Sequence, residues 1–182
     1  RSPHRDRGVS RRKPYAGAVS DPQRAQARKR RGAWYTPPAL VHAVVHEALF
    51  AGARSVLDPA CGDGRFLQAT GLPVQVGIDI DPPTAAAGGF ECADALRRDW
   101  SDTQFDIVVG NPPFLGQLSR LTTRGGSSPL GGGPYADAAA EFLALAVRLT
   151  RRGGRFGLVL PQSLLSAGDA AAIRADVDSR AA

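Results

Sequence analysis

The sequence predicts an α/β protein whose parallel strands form a doubly wound, Rossmann-like sheet. Short apolar runs typical of buried strands recur along the chain and alternate with helical segments. A glycine turn, Gly62-Asp63-Gly64, separates the first run from its helix, and Asp79 follows Gly64 by 15 residues in the next run. This order of strand, glycine turn, helix, strand and acid is typical of a nucleoside-binding site.

The individual elements follow from apolar runs and their boundaries. Strands are predicted over residues 55–58, 74–81, 90–96, 105–110 and 155–160. Helices are predicted from residue 37 onward, over 65–69, over 137–150, and from 163 to the end. Thr36 is the expected N-cap of the first helix, with proline in its first turn. Arg151-Arg152-Gly153-Gly154 is expected to end the helix over 137–150.

Length and charge divide the chain into two parts. Its 182 residues suffice for one α/β core, which we place in residues 32–182. Residues 1–31 carry 11 Lys and Arg against two Asp, a net charge of +9, while the remainder carries −3. We predict that this basic tail is disordered. Two roles stay open for it: a phosphate-binding arm for nucleic acid, or a solubilising tail.

Several classes of protein are disfavoured. No apolar run approaches the roughly 20 residues that a membrane span needs, and no secretory signal is apparent. Cys61 and Cys92 lack metal-type spacing, and His42 and His46 lack a third ligand, so no metal site is predicted. A reducing cytoplasm is the expected location.

The tetrapeptide Asn111-Pro112-Pro113-Phe114 is the strongest candidate for chemistry. It follows the apolar run 105–110, and therefore stands at the carboxyl end of a strand, where open α/β sheets bind ligands. The two prolines fix φ and remove two N–H donors, which leaves carbonyl oxygens free to accept hydrogen bonds. This arrangement suits an exocyclic amine beside a flat ring, although a proline-rich turn is an equally simple interpretation of the tetrapeptide alone.

Other candidates stand at the ends of the remaining strands. The glycines of the first turn allow a ligand close to the backbone, and Asp79 stands where an acid grips ribose hydroxyls. Asp94 would accept a hydrogen bond from an amino group or cap a helix. The exposed N–H groups near Thr36 would bind a carboxylate, unless Thr36 only caps its helix. The glycine-rich stretch 115–134 is expected to form a mobile flap beside Asn111.

These motifs together resemble the amino-group DNA methyltransferases, specifically the adenine-N6 enzymes of restriction–modification type. The matching segments, all in the family's order, are Tyr35-Thr36-Pro37-Pro38, residues 56–67, residues 77–82, Ala93-Asp94, residues 106–114, Gly153-Gly154-Arg155-Phe156 and Leu160-Pro161-Gln162-Ser163. The resemblance covers about residues 32–180. It implies a methyltransferase sheet and a site-specific, adenine-specific DNA methyltransferase, as in restriction–modification or phage-defence systems.

The resemblance also implies roles for individual residues. S-adenosyl-L-methionine would be held by Thr36, Asp58, Ala60, Cys61, Gly62, Gly64, Asp79, Ile80 and Asp94. Asp79 would take the ribose hydroxyls, Ile80 would pack on the cofactor's adenine ring and Asp94 would bind its amine. Asn111, Pro112, Pro113 and Phe114 would be catalytic, without a metal ion. The partner would be DNA with a flipped adenine, on which Phe114 would stack.

The sequence departs from the family at two points. Phe114 stands where many relatives carry Tyr, so a hydroxyl is lost while stacking is kept. The family sheet has seven strands and is followed by a recognition region, whereas this chain is expected to stop after about five strands. The catalytic domain is therefore predicted to be incomplete at its C-terminus and to need a recognition domain or subunit. Alternatives are methylation of a protein glutamine amide or of rRNA guanine N2, and a truncated, inactive cofactor-binding fragment.

Overall fold

A computed structural model describes residues 36–114, 128, 130–133 and 136–180. These residues form a five-stranded sheet of order β3-β2-β1-β4-β5, in which every neighbouring pair is parallel. The strands are β1 (Ser55–Asp58), β2 (Val74–Asp79), β3 (Glu91–Cys92), β4 (Phe105–Gly110) and β5 (Thr150–Leu158). The predicted α/β class is confirmed. The predicted basic tail and most of the predicted flap lie outside the described residues.

Helices cover both faces of this sheet. They are α1 (Pro38–Ala48), α2 (Arg65–Thr70), α3 (Pro82–Gly88), α4 (Ala138–Leu149) and α5 (Ala171–Arg180), with short 3-10 turns at Gln162–Leu165 and Gly168–Ala170. Successive strand residues supply the two faces because strand side chains alternate. Val56 and Ile107 pack with α1 and α2, whereas Leu57 and Val108 pack with α4.

The parallel register brings four strand ends to one edge. β1 pairs with β2 from Ser55↔Val74 to Asp58↔Gly77, and β4 lies on the other side of β1. Because every strand runs in the same direction, the residues that follow β1, β2, β3 and β4 meet at the carboxyl edge of the sheet. This edge therefore collects the segments that the sequence singled out.

The start of β5 differs from the prediction. The strand begins at Thr150, directly after α4, so Arg151-Arg152-Gly153-Gly154 belongs to β5 and is not a helix terminator. Thr150 pairs with Phe105, and the next pair is Ile107↔Arg155, so the segment between them forms a bulge. Arg151 reaches across to the Asp106 carboxylate, which favours this path over a simple turn.

The C-terminal segment and α3 also differ. The predicted continuous helix from 163 is instead two 3-10 turns followed by α5. Arg174 donates to the carbonyls of Leu164 and Ala167, at 2.9 and 2.7 Å, and so satisfies groups that an α-helix would have bonded internally. Helix α3 was not predicted, although Asp81 at its N-cap and Gly89 at its C-cap bracket it.

No helix in the part of the chain that the structure describes is both long enough and apolar enough to cross a membrane.

Candidate active site

The carboxyl edge brings together residues from three adjacent strands. Asp58 ends β1, Asp79 ends β2, and Asn111 directly follows β4. β1 lies between the other two strands, so Asp58 is central. Polar groups far apart in the sequence therefore share one surface of the sheet.

Asp79 holds the glycine turn through the backbone. Its Oδ2 accepts a hydrogen bond from the Gly62 N–H at 2.9 Å, and its Oδ1 accepts one from the Asp81 N–H at 2.8 Å. The Cys61 N–H also donates to the Ile78 carbonyl at 2.8 Å. Each carboxylate oxygen of Asp79 keeps further lone-pair capacity, which suits acceptance from ligand hydroxyl groups.

Gly62 and Gly64 of the turn are glycine for different structural reasons. Both have left-handed backbones, with φ of +55° at Gly62 and +76° at Gly64. A Cβ atom at Gly62 would meet nothing within 4 Å, so this position faces open space. A Cβ atom at Gly64 would lie 2.3 Å from Cζ of Phe90. Gly64 is therefore required by packing, whereas Gly62 leaves room above the turn.

Asp58 is a buried acid with one unsatisfied oxygen. It is 1% exposed; its Oδ1 accepts from the Ala60 N–H at 3.1 Å, while its Oδ2 has no hydrogen-bond partner among the described residues. Burial, with the nearby charges of Asp79 and Asp63, raises the pKa of Asp58 to about 8 despite the Ala60 bond. A Cβ atom at Gly110 would lie 2.6 Å from Asp58 Oδ1, so β4 can approach this acid only with glycine there.

Cys61 contributes backbone and bulk to the turn. Its side chain is 4% exposed and packs in the cluster beneath α1 and α2. Burial and the neighbouring charges of Asp58 and Asp79 raise the pKa of the thiol far above its ordinary value. Because only the thiolate is a good nucleophile, this environment disfavours covalent chemistry at Cys61.

The Asn111 amide is fixed from one side and unsatisfied on the other. Its Nδ2 donates to Thr36 Oγ1 at 2.9 Å, while its Oδ1 is buried and has no hydrogen-bond partner among the described residues. Pro112, which follows, is fully buried. The site therefore presents a rigidly held acceptor oxygen beside a segment that offers no N–H donor.

Thr36 does not cap the first helix, contrary to the prediction. Helix α1 begins at Pro38 with Pro37 as its N-cap residue, and no side chain accepts from its first turn. The Thr36 hydroxyl instead accepts from Asn111, 75 residues away in the sequence. The Thr36 carbonyl accepts from Arg65 Nη1 at 2.6 Å. The sequence carried no signal for this role of Arg65 beyond its position after the glycine turn.

The remaining predicted residues lie around this edge. Ile80 is 60% exposed at the end of β2, an unusual degree of exposure for a large apolar side chain. Asp94 Oδ1 accepts from the Leu96 N–H at 3.0 Å within a turn, and no helix begins there, so Asp94 does not take the helix-capping role that was its predicted alternative. Phe114 is half-buried and packs against the cluster between α4 and α5.

Two further features of the described residues bear on the site. No group of three or more His, Cys, Asp or Glu side chains is placed to hold a metal ion in the described part of the chain. A cleft of about 500 Å³ lies beside Trp100, Gln104 and Arg148, near the amino-terminal ends of β4 and β5. It is lined by none of the candidate site residues that the sequence predicted.

Comparison with known families agrees with the fold and the order of the motifs. Residues 75–176, more than half of the chain, match the family described as Eco57I restriction-modification methylase. The chain belongs to this family. Residues 22–75 match the family described as N-6 DNA Methylase. The two matches together span the glycine turn and the tetrapeptide.

Curated relatives of this methylase family are longer than the chain. The type II methyltransferase M.TthHB8I of Thermus thermophilus is 33% identical over 168 residues, covering 76% of this chain and 36% of that protein. The MjaIX methylase subunit of a type I restriction enzyme, from Methanocaldococcus jannaschii, is 28% identical, covering 76% and 30%. The chain therefore spans about a third of the length of these relatives.

Solved structures support the fold of the methylase. The type I restriction–modification methyltransferase subunit from Streptococcus thermophilus aligns with a TM-score of 0.59 at 24% identity, covering 79% of this chain and 38% of that one. The EcoKI M protein aligns with a TM-score of 0.56 at 18% identity, covering 87% and 41%. At these identities the similarity shows the α/β fold.

Proposed function

We propose that residues 32–182 are the catalytic domain of an adenine-N6 DNA methyltransferase of restriction–modification type. The observation that carries the proposal is the Asn111 amide, whose buried Oδ1 lacks a partner while its Nδ2 is held by Thr36. A buried acceptor without a donor is costly, by roughly 1–3 kcal/mol, and a bound amine removes that cost. Membership of the methylase family makes adenine N6 the amine of choice.

The chain's own groups suit activation of such an amine. Adenine N6 is a poor nucleophile because its lone pair is delocalised into the ring. Asn111 Oδ1 and the Pro112 carbonyl would accept its two N–H bonds, which favours a pyramidal nitrogen with an available lone pair. The same acceptors stabilise the positive charge that develops on nitrogen, so neither a metal ion nor a covalent intermediate is required.

The glycine turn and the strand ends beside it fit S-adenosyl-L-methionine, which supplies an electrophilic methyl group when bound. The partnerless Asp58 Oδ2 suits an ammonium group, and the Asp79 oxygens suit ribose hydroxyls. The exposed Ile80 offers a flat apolar contact for an adenine ring, and the open space above Gly62 leaves room for the ligand. Thr36, Ala60, Cys61, Gly64 and Asp94 would complete the cofactor site.

The partners follow from this chemistry. The target adenine must leave the duplex, and Phe114 would stack on it, a contact worth roughly 1–3 kcal/mol. Sequence specificity would come from base contacts made by a recognition domain or subunit, because the catalytic motifs carry no such contacts. The basic tail over residues 1–31 would bind phosphates. We place the protein in the cytoplasm, with its DNA substrate.

The test measures transfer of a labelled methyl group from S-adenosyl-L-methionine to unmethylated DNA, followed by digestion to nucleosides. We expect the label in N6-methyl-2′-deoxyadenosine, and a loss of at least about a hundredfold in Asn111→Ala, since removal of one preorganised transition-state group costs this much elsewhere. Gln75→Ala is the matched control, because it removes an exposed amide at the opposite end of β2.

Other destinations of the label would contradict the proposal. Label in a protein glutamine amide or in guanine N2 of rRNA would assign the same amine chemistry to another substrate. Binding of the cofactor without transfer to any of these acceptors would indicate an inactive binding fragment. Retention of full activity in Asn111→Ala would remove the tetrapeptide from the mechanism.

A further inference from the structure

We propose that Thr36 is a positioning residue that sets the orientation of the Asn111 amide and couples it to occupancy of the cofactor site. This inference rests on the proposed function and adds to it a link between the two halves of the site. It starts from the 2.9 Å bond between Asn111 Nδ2 and Thr36 Oγ1, and from the burial of Thr36 and of the Asn111 Oδ1 atom.

The orientation of the amide matters because its two ends have opposite chemistry. An amide rotated by half a turn occupies nearly the same volume but exchanges its oxygen for an NH₂ group. With Oδ1 directed away from Thr36, the site offers an acceptor to an amine. With Nδ2 in that place, two N–H groups would face an amine that also carries N–H bonds. Only the first orientation favours methyl transfer.

A threonine hydroxyl alone does not dictate that orientation, because it both donates and accepts. It would accept from Nδ2 in one orientation and donate to Oδ1 in the other. Once its proton is donated to a different acceptor, the hydroxyl can only accept from Asn111. The proposed cofactor site includes Thr36, and the carboxylate of S-adenosyl-L-methionine is such an acceptor. Occupancy of the cofactor site would therefore select the productive amide.

The backbone of Thr36 is held from the glycine turn. Arg65, the first residue of α2, donates from Nη1 to the Thr36 carbonyl at 2.6 Å. The same guanidinium donates from Nε to Asp63 Oδ1 at 2.8 Å and forms an ion pair with that carboxylate. Two prolines after Thr36 restrict the backbone that follows it. The hydroxyl thus occupies a position set by the turn that would bind the cofactor.

Nuclear magnetic resonance tests this arrangement directly, because Asn111 is the only asparagine in the chain. Protein labelled with ¹⁵N in asparagine alone gives one side-chain NH₂ signal. We expect one of its protons to be shifted downfield and protected from solvent exchange, with more protection after addition of S-adenosylhomocysteine. Thr36→Val should speed that exchange by about fivefold to tenfold, as loss of one hydrogen bond predicts, and Thr36→Ser should preserve it.

Kinetics separate positioning from mere cofactor contact. If Thr36 orients Asn111, Thr36→Val lowers kcat by about tenfold or more even at saturating S-adenosyl-L-methionine, and Thr36→Ser recovers most of that loss. If Thr36 only contacts the cofactor, KM rises and kcat stays unchanged, which overturns the proposal. Thr70→Val is the control, because Thr70 is also buried but its hydroxyl bonds locally to the Leu67 carbonyl.

The two proposals fail in different ways. Absence of methyl transfer by the unchanged protein would refute the proposed function, while the Asn111 signal would still show whether Thr36 holds the amide. An Asn111 signal that is identical in Thr36→Val and the unchanged protein overturns the positioning role. A signal that responds to Thr36→Val but not to S-adenosylhomocysteine overturns the coupling.

Discussion

Two buried oxygens at the carboxyl edge lack hydrogen-bond partners among the described residues: Asp58 Oδ2 and Asn111 Oδ1. They differ in chemical type and in the ligand that is proposed for each. We propose that Asp58, once ionised, accepts from a cationic donor, and that the neutral amide oxygen of Asn111 accepts from an amine. In each side chain the other polar atom is hydrogen-bonded: Asp58 Oδ1 accepts from the Ala60 N–H, and Asn111 Nδ2 donates to Thr36 Oγ1. Groups that are fixed yet unsatisfied are expected of a preorganised site.

The raised pKa of Asp58 predicts that cofactor binding releases a proton. With a pKa of about 8 the acid is mostly protonated at pH 7, and pairing with an ammonium group requires its carboxylate form. Calorimetry of S-adenosylhomocysteine binding at pH 7, in buffers of different ionisation enthalpy, should show release of close to one proton. Asp58→Asn should release none. Equal proton release from both proteins would mean that Asp58 does not pair with the ligand.

The same acid makes stability depend on pH in the ligand-free protein. The folded pKa of Asp58 lies above the unfolded value of 3.8, so protonation of Asp58 favours the folded state. This contribution to the free energy of unfolding is fully present below about pH 4 and is lost as pH rises towards about 8. We expect a slope of up to about 1.4 kcal/mol per pH unit in that window. Urea unfolding of Asp58→Asn should lack this slope; an unchanged slope would locate it in another group.

At the scale of elements, the turn after β1 allows an effect of glycine on stability to be distinguished from its effect on ligand binding. Gly62 and Gly71, at the two ends of the α2 region, have left-handed backbones and open space where a Cβ atom would lie. Only Gly62 belongs to the turn whose N–H is held by Asp79. Substitution of either glycine should therefore cost a similar amount of stability, while only substitution of Gly62 should also affect binding.

We predict that Gly62→Ala and Gly71→Ala each lower the free energy of unfolding by a similar amount, roughly 1–2 kcal/mol, for the left-handed conformation. Gly62→Ala alone should weaken S-adenosylhomocysteine binding, by at least about tenfold, because its methyl group enters the space above the turn. Calorimetry and urea unfolding measure the two effects. Equal affinities in the two variants would argue that the ligand does not cross Gly62.

At the end of the sheet opposite to the carboxyl edge, Asp106 joins the amino-terminal ends of three strands. Its Oδ2 accepts from the N–H groups of Arg54 and Ser55, at 2.8 and 2.9 Å, and its Oδ1 accepts from Arg151 in the bulge of β5. The Arg151 bond, followed by the Arg54 N–H, holds the pKa of Asp106 well below its usual range. One carboxylate thus joins the starts of β1, β4 and β5.

Asp106→Asn should lower the free energy of unfolding at pH 7 by roughly 1.5–3 kcal/mol, the net worth of hydrogen bonds to a charged group. The folded pKa is depressed, so this stability is present above pH 4 and is lost as pH falls further. The difference between Asp106→Asn and the unchanged protein should therefore shrink in acid. Asp102→Asn, at an exposed position nearby, is the control in denaturant titrations.

For the whole molecule, charge is divided between the tail and the folded domain. Residues 1–31 carry +9 and the rest of the chain −3, so we expect long-range attraction to the proposed DNA substrate to come from the tail. Deletion of residues 1–31 should weaken DNA binding and flatten its salt dependence, since each lost phosphate contact reduces the slope of log K against log salt by about 0.9. An unchanged slope would support a solubilising role.

Local patterns were sufficient for much of the fold. β1 and β4 were predicted with the bounds Ser55–Asp58 and Phe105–Gly110, because each apolar run ends at a residue that changes the backbone or the polarity. The placement of Asp58, Asp79 and Asn111 at one edge followed from parallel strands alone. The bulge of β5 did not, because Arg151-Arg152-Gly153-Gly154 resembles a helix end unless the Asp106 carboxylate beside it is known.

The sequence by itself determined the α/β class, the methylase family and the chemical types available at the carboxyl edge, since these depend on periodicity and on motifs of a few residues. Only the tertiary structure decided the contacts among those groups. The local sequence at Thr36 predicts a helix cap, but the Thr36 hydroxyl accepts a hydrogen bond from Asn111, 75 residues away. Asp58 acquires its raised pKa from burial in the folded chain, where Gly110 of β4 lies against it, a property that no local pattern encodes.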